Sequence, residues 1–264
     1  MCLIVFAWRA HPEFRLIVAA NRDEYHARPA RAAHWWPDRR QLFGGRDLQA
    51  GGTWLAVSRN GRFAAVTNYR EQQRPGPGQR SRGELVAAFV DGTLAPGDFA
   101  RSVDGQRYAG YCLLLSDGDR LVYTSNRDAA PVELGAGVYG LANAALDTPW
   151  HKVLRARSRL ASLIETGQPS ETGLLRLLDD REPAPVDAVE ESPLPFGLAR
   201  ALSAPFVVAE DYGTRCSTTL LWREQDIAVC ERRFDTSGRD VGTTRVRFPV
   251  ASGPAQSASA EARS

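Results

Sequence analysis

The chain has 264 residues, 43% of them hydrophobic and 24% charged, with 23 Gly and 16 Pro, proportions ordinary for a soluble globular protein. Thirty-three Lys+Arg against 31 Asp+Glu leave a formal charge of +2, which provides no strong field for nucleic acid or an anionic membrane. No apolar stretch approaches the roughly 18 residues of a membrane-spanning helix. The run at 2–8 ends at Arg9 without a basic region before it or a cleavage site after it, so the expected location is a reducing cytoplasm. Lys152 is the only Lys, every other basic residue being Arg, which reads as base-composition bias.

In chain order, the apolar runs 2–8 and 14–20 flank His11-Pro12-Glu13 and predict a β-hairpin. Gly44-Gly45 and Gly51-Gly52 are expected to bracket a loop, and Asn60-Gly61 signals a type I′ hairpin between 54–58 and 62–67. The Pro/Gly-rich stretch 72–80 reads as an exposed loop, and Ser81 with Glu84 as a capping box opening a helix at 85–90. A short helix at 98–103 follows, then a hairpin of 108–116 and 120–125 around Asp117-Gly118-Asp119, and a strand at 138–143. Residues 150–164 carry apolar side chains at helical spacing and stop at Gly167 and Pro169; a helix at 174–178 and an acidic, Pro-rich loop at 181–195 come next. Strands are expected at 214–222, 226–234 and 243–250, and a disordered Ala/Ser-rich tail from 251. Strands, then helices, then strands, joined by hairpins, predict an α+β layered fold with antiparallel sheets in one domain over 1–250.

Cys2 is the first candidate for chemistry. Removal of the initiator Met would leave a thiol and a free α-amine on one Cα, and such an amine titrates near pH 7.7–8.0, in the range of a general base. The alternative is a cysteine that simply begins a buried strand. Asn21-Arg22-Asp23-Glu24 is a second polar cluster, at the end of the strand expected to pair with the one carrying Cys2. Strand alternation separates Arg22 from its neighbours unless some of the four lie on a turn beyond the strand. An Arg near a thiol favours the thiolate, and a carboxylate could orient the amine; a plain charged turn has the same composition. Cys112, Cys216 and Cys230 sit in apolar surroundings as expected for inert thiols. His11, His26, His34 and His151 lack metal-ligand spacing; one could ligate haem axially, although a surface position is the commoner use. Trp35-Trp36 and Trp54 could line an apolar groove or fill the core.

The start Met-Cys-Leu-Ile-Val-Phe, the motif at 21–24, Arg28-Pro29, Gly45-Arg46-Asp47, Gly51-Gly52-Thr53-Trp54, Thr67-Asn68, Gly140-Leu141-Ala142-Asn143 and Tyr212-Gly213-Thr214-Arg215 together resemble the NRDE family, also called the transport and Golgi organisation protein 2 family. More distantly the layout is similar to N-terminal nucleophile hydrolases of the bile-salt hydrolase and penicillin acylase type. That resemblance implies a four-layer αββα sandwich with Cys2 as nucleophile, Arg22 and Asp23 beside the thiol and amine, oxyanion contacts from Asn68 and Asn143, and Arg215 completing the electrostatics. Either Asn could instead cap a turn, and Arg215 could be solvent-facing, needing an acidic partner only if buried.

Two functions follow as expectations. One is a cysteine amidohydrolase or acyltransferase acting on a linear amide or thioester. The other is a non-catalytic carrier of haem or acyl-CoA on the same fold, since the family is linked to Golgi organisation, secretion, lipid metabolism and haem trafficking. No resident cofactor or metal is expected, haem entering only as cargo, and the partner is a small acyl, amide or haem-like molecule.

Overall fold

Two apolar runs form β1 (Leu3–His11) and β2 (Phe14–Tyr25), antiparallel with Val5 opposite Ala19. Their lack of apolar–polar alternation has a physical cause: both faces are covered. Ile4, Phe6, Leu16 and Val18 pack against a second sheet, while Leu3, Val5, Ile17 and Ala19 pack against helices. The computed structural model describes residues 2–71, 79–127, 130–167, 169–192 and 194–250, so most of the expected 72–80 loop and the whole tail from 251 lie outside the described residues.

The remaining strands are β3 (Ala30–Trp35), β4 (Leu42–Asp47), β5 (Leu55–Ser58), β6 (Phe63–Asn68), β7 (Tyr111–Ser116), β8 (Leu121–Ser125), β9 (Val132–Glu133), β10 (Gly137–Leu141), β11 (Tyr212–Trp222), β12 (Asp226–Phe234) and β13 (Asp240–Pro249). They pair antiparallel throughout, in one sheet ordered β10-β1-β2-β11-β12-β13 and another ordered β3-β4-β5-β6-β7-β8-β9. The helices are α1 (Gly83–Asp91), α2 (Pro96–Ser102), α3 (His151–Glu165), α4 (Glu171–Leu178) and α5 (Phe196–Ala201). Helices α1 and α2 cover the outer face of the second sheet, α3 and α4 that of the first, and a large apolar core fills the space between the sheets. The architecture is therefore the expected α+β sandwich with layers in the order αββα. Among the described residues no helix is long and apolar enough to cross a membrane.

Several local expectations are corrected. The polar cluster 21–24 stays within β2 and does not form a turn. Residues 44–47, at the start of the loop expected between Gly44-Gly45 and Gly51-Gly52, belong to β4; Gly44 is required there because a Cβ would come within 2.7 Å of the Leu55 carbonyl oxygen of β5. At Asn60-Gly61 only Gly61 takes a positive φ, +69°, and its amide donates to Ser58 O, giving a three-residue loop with a glycine bulge and not a type I′ turn. No capping box forms at Ser81: the Glu84 carboxylate is taken by the Tyr108 hydroxyl at 2.5 Å and by Arg80, and α1 starts without a side-chain cap. Trp36 is fully buried with its indole N–H on Gly44 O, and Trp35 packs edge-on against Phe43 and Phe248, so this pair is core and not a groove.

Two features set stability. The loop carrying Gly52 lies backbone to backbone on the start of α1, where a Cβ on Gly52 would meet the Gly83 carbonyl carbon at 2.5 Å. Gly52→Ala is expected to lower the urea midpoint by the equivalent of about 1–3 kcal/mol, and an unchanged midpoint would contradict this packing. Asp180, just beyond α4, accepts Arg155 Nε at 2.8 Å and Arg159 Nη1 at 3.0 Å from α3. Burial alone would raise its carboxyl, but the Arg155 fork, the Glu182 amide and Arg159 hold it below its ordinary value. A depressed carboxylate contributes stability above its unfolded pKa and loses it as pH falls through the folded one. Asp180→Asn is therefore expected to cost about 1 kcal/mol at pH 7, a figure limited by solvent screening of the part-exposed arginines, with the cost shrinking below about pH 4. Urea melts at both pH values measure it.

Candidate active site

One cleft of ≈ 880 Å³ opens where β1 begins and β2 ends, lined by Cys2, Arg22, Asn68, Arg82, Arg215 and Cys216 among others. Its floor follows from strand register. Leu3 pairs with Asn21, which sets Cys2 beside Arg22; Cys216 of β11 also pairs with Arg22, and Arg233 of β12 with Cys216. Directly paired residues share a face, so Cys2, Arg22, Cys216 and Arg233 form a row across the sheet that lines the cleft.

Alternation sends Asn21 and Asp23 of the polar cluster beneath this row and leaves Glu24 on the cleft side. Asn21 donates from Nδ2 to the Leu178 and Pro205 carbonyls, each at 2.9 Å, and accepts Ser217 Oγ at 2.6 Å, tying β2 to the helical layer. The Asp23 side chain is fully buried: Oδ1 accepts Thr214 Oγ1 at 2.7 Å and Oδ2 stands 4.0 Å from Lys152 Nζ. Its backbone carbonyl accepts the Tyr212 hydroxyl at 2.8 Å and lies 4.0 Å from Cys2 Sγ. Arg22 thus flanks the thiol from the cleft side, and the Asp23 carboxylate acts from below the strand.

Asn143, 2% exposed at the end of β10, is the connector. Its Oδ1 accepts the Cys2 backbone N at 3.1 Å, its Nδ2 donates to the Asn68 carbonyl at 2.8 Å, and its own carbonyl accepts Arg70 N at 2.6 Å. Asn68 therefore meets Asn143 through its main chain, while its side chain is exposed at the cleft. Arg215 has no acidic partner among the described residues: its Nη1 donates to the carbonyls of Tyr25, His26 and Arg28 at 2.9, 3.0 and 3.3 Å, clamping the turn after the polar cluster. A β-bulge between Thr214 and Cys216 lets Thr214 and Cys216 serve opposite faces on either side of it.

Burial raises the Cys2 thiol above its ordinary value, and the positive charge of Arg22 only partly opposes this. That burial disfavours the ionised thiol, so attack through the sulfur calls for a base beside it. Burial and Glu231 push Cys216 well up, and burial and Glu171 push Cys230 to about 12. Burial also raises Asp23, against the opposing charge of Lys152, and lowers Lys152, against that of Asp23. Lys152, Thr214, Arg82 and Cys216 were absent from the candidates read in sequence. Lys152 carried a signal there as the lone Lys, Thr214 stood inside the motif at 212–215, and Cys216 was read as an inert thiol.

Four αββα layers with a cysteine at the head of a central strand define the N-terminal nucleophile hydrolase fold. A conjugated bile acid hydrolase from Clostridium perfringens, solved as a cysteine-to-alanine mutant, superposes with a TM-score of 0.52 over 93% of this chain and 92% of its own, at 6% identity. The chain belongs to the Transport and Golgi organisation 2 family, whose model matches residues 1–236. A Bos taurus Transport and Golgi organization protein 2 homolog is 36% identical and the human one 33%, each over 84% of this chain and 88% of the relative.

Proposed function

We propose that Cys2, once Met1 is removed, is the nucleophile of an amidohydrolase or acyltransferase acting on a linear amide or thioester. The observation that carries this reading is the seat of Cys2: its thiol lines the cleft while its backbone N is held by Asn143 Oδ1 at 3.1 Å. A protonated thiol requires a base, and the α-amine on the same Cα supplies one. The amine takes the thiol proton as Sγ bonds to the substrate carbonyl carbon. That proton then passes to the leaving nitrogen or sulfur as its bond to carbon breaks, and water or an amine releases the acyl group. The exposed Asn68 amide and the second Asn143 N–H are the donors available to the oxyanion, each worth about 2.7–4 kcal/mol when well aimed. The four free thiols suit a reducing compartment, in keeping with a cytoplasmic location.

A carrier of haem or acyl-CoA is favoured by one observation: Arg31 and Arg233 line the far end of the cleft with no ion-pair partner among the described residues, which suits an anionic ligand. Intact-mass analysis before and after one equivalent of iodoacetamide, with peptide mapping, separates the two. Loss of Met1 with labelling confined to Cys2 is the expected result. Retained Met1, or labelling that ignores Cys2, overturns the nucleophile and leaves the carrier.

A further inference from the structure

Lys152 is absent from the family-implied site, yet it is the most unusual side chain near it. Its side chain is 1% exposed, its Nζ makes no hydrogen bond among the described residues, and its nearest counter-charge is Asp23 Oδ2 at 4.0 Å. A bare buried ammonium is costly unless its charge is used. Arg is the basic residue everywhere else in the chain. A guanidinium has five donors on a rigid planar fork, whereas an ammonium is a compact point charge. Lys152, the second residue of α3, brings the second kind of cation to the buried face of β2, opposite the Asp23 carboxylate.

Resting on the nucleophile reading above, we propose that Lys152 is a positioning residue for Cys2: its ammonium keeps Asp23 a carboxylate and balances that charge beneath the thiol and amine. Without Lys152, the Asp23 charge acts on Cys2 with less to oppose it and disfavours the thiolate. Without Asp23, the Lys152 charge does the reverse. The groups facing the pair are consistent with this assignment. From β1 comes Cys2, and from β11 come the neutral hydroxyls of Thr214 and Tyr212. Arg70 after β6 and Glu190 from the loop before α5 act on Lys152 with opposite signs, behind Asp23 and Cys2 in strength. Arg22 and Glu24 lie on the cleft face of β2.

The test needs no substrate. The second-order rate of Cys2 alkylation by iodoacetamide is measured from pH 6 to 10 on the full chain and on Lys152→Met, Asp23→Asn and the double variant. Met keeps the length of the stem and removes the charge. Lys152→Met is expected to slow alkylation at pH 8 on the order of tenfold and move the pH profile upward by about one unit. Asp23→Asn is expected to speed it by a similar factor, and Asp23→Asn with Lys152→Met to return within about threefold of the unsubstituted rate, a non-additive cycle. A purely structural Lys152 would lower the melting temperature while leaving the Lys152→Met profile on the unsubstituted one and the double variant's on that of Asp23→Asn, which overturns the assignment. If Lys152→Met does not fold, the comparison of Asp23→Asn with the double variant decides in the same way: a slower double variant supports the assignment and equal rates overturn it. Failure of the unsubstituted Cys2 to react overturns the nucleophile reading itself and this assignment with it. Normal Cys2 alkylation with unmoved profiles overturns this assignment alone.

Discussion

Cys2→Ser is expected to abolish iodoacetamide incorporation at neutral pH and to reduce acyl-substrate turnover by at least about 10³-fold, with little change in melting temperature. The kinetic effect is large because the nucleophile is the bond-forming atom and its base sits on the same residue, so no second side chain substitutes for it. The stability effect is small because Ser nearly matches Cys in volume and the hydrogen bond of Cys2 Sγ among the described residues is a long one, 4.0 Å to the Asp23 carbonyl. The remaining thiols do not take over. Cys216, the other cleft thiol, is pushed well up by burial and Glu231, and Cys112 and Cys230 are buried. Substantial turnover or labelling in Cys2→Ser would show that the reaction, or the reactivity, belongs elsewhere. Substrates are screened as p-nitroanilides and thioesters of increasing acyl length.

Asn143→Ala carries the second large effect, on stability and chemistry together. One side chain ties Cys2, just ahead of β1, to the last residue of β6, bridging the two sheets at the head of the cleft. Truncation leaves the Cys2 N and the Asn68 carbonyl without these partners inside a packed site, at roughly 1–3 kcal/mol for each buried group. A fall in melting temperature on the order of 10 °C follows for a chain of this size. Because the Cys2 amine is then unanchored, turnover is expected to fall by about 10²-fold or more even where the variant is fully folded. Asn143→Asp tests the two roles apart: it keeps an acceptor for Cys2 N and loses the donor to Asn68. It should retain the placement of Cys2 while losing the tie to β6, seen as a smaller loss of labelling rate than of thermal stability. Equal losses in both would contradict the division of roles between Oδ1 and Nδ2.

The parts of this site differ in how far they could be read from sequence. Cys2 was visible because position two has its own chemistry. The cluster at 21–24 was visible as four polar residues closing an apolar strand. Its geometry was misjudged because a strand of mixed polarity looks like a turn when the environment of each face is unknown. In the fold each face has its own partner: Asn21 and Asp23 meet the polar atoms of α4, β11 and Lys152, and Arg22 and Glu24 meet the cleft. Arg215 was expected to need an acidic or anionic partner if buried, but its partners are three backbone carbonyls, a kind of acceptor that composition does not display.

The sequence by itself determined the strands whose apolar runs exceed any competing signal, the hairpins and the amphipathic α3. It also determined the αββα class, through the family resemblance, and the identity of the cysteine that heads the central strand. These depend on local pattern, and local pattern is written in consecutive residues. Only the tertiary structure decided that β4 pairs across its glycines, that Glu84 is claimed by Tyr108 instead of capping its helix, and that Trp35 and Trp36 are core. It alone placed Lys152 under Asp23, residues separated by more than a hundred positions in the chain. Each of these outcomes is a competition between a local preference and a partner distant in sequence, and the partner wins when burial makes an unpaired polar group or an unfilled space more costly than the local preference is worth.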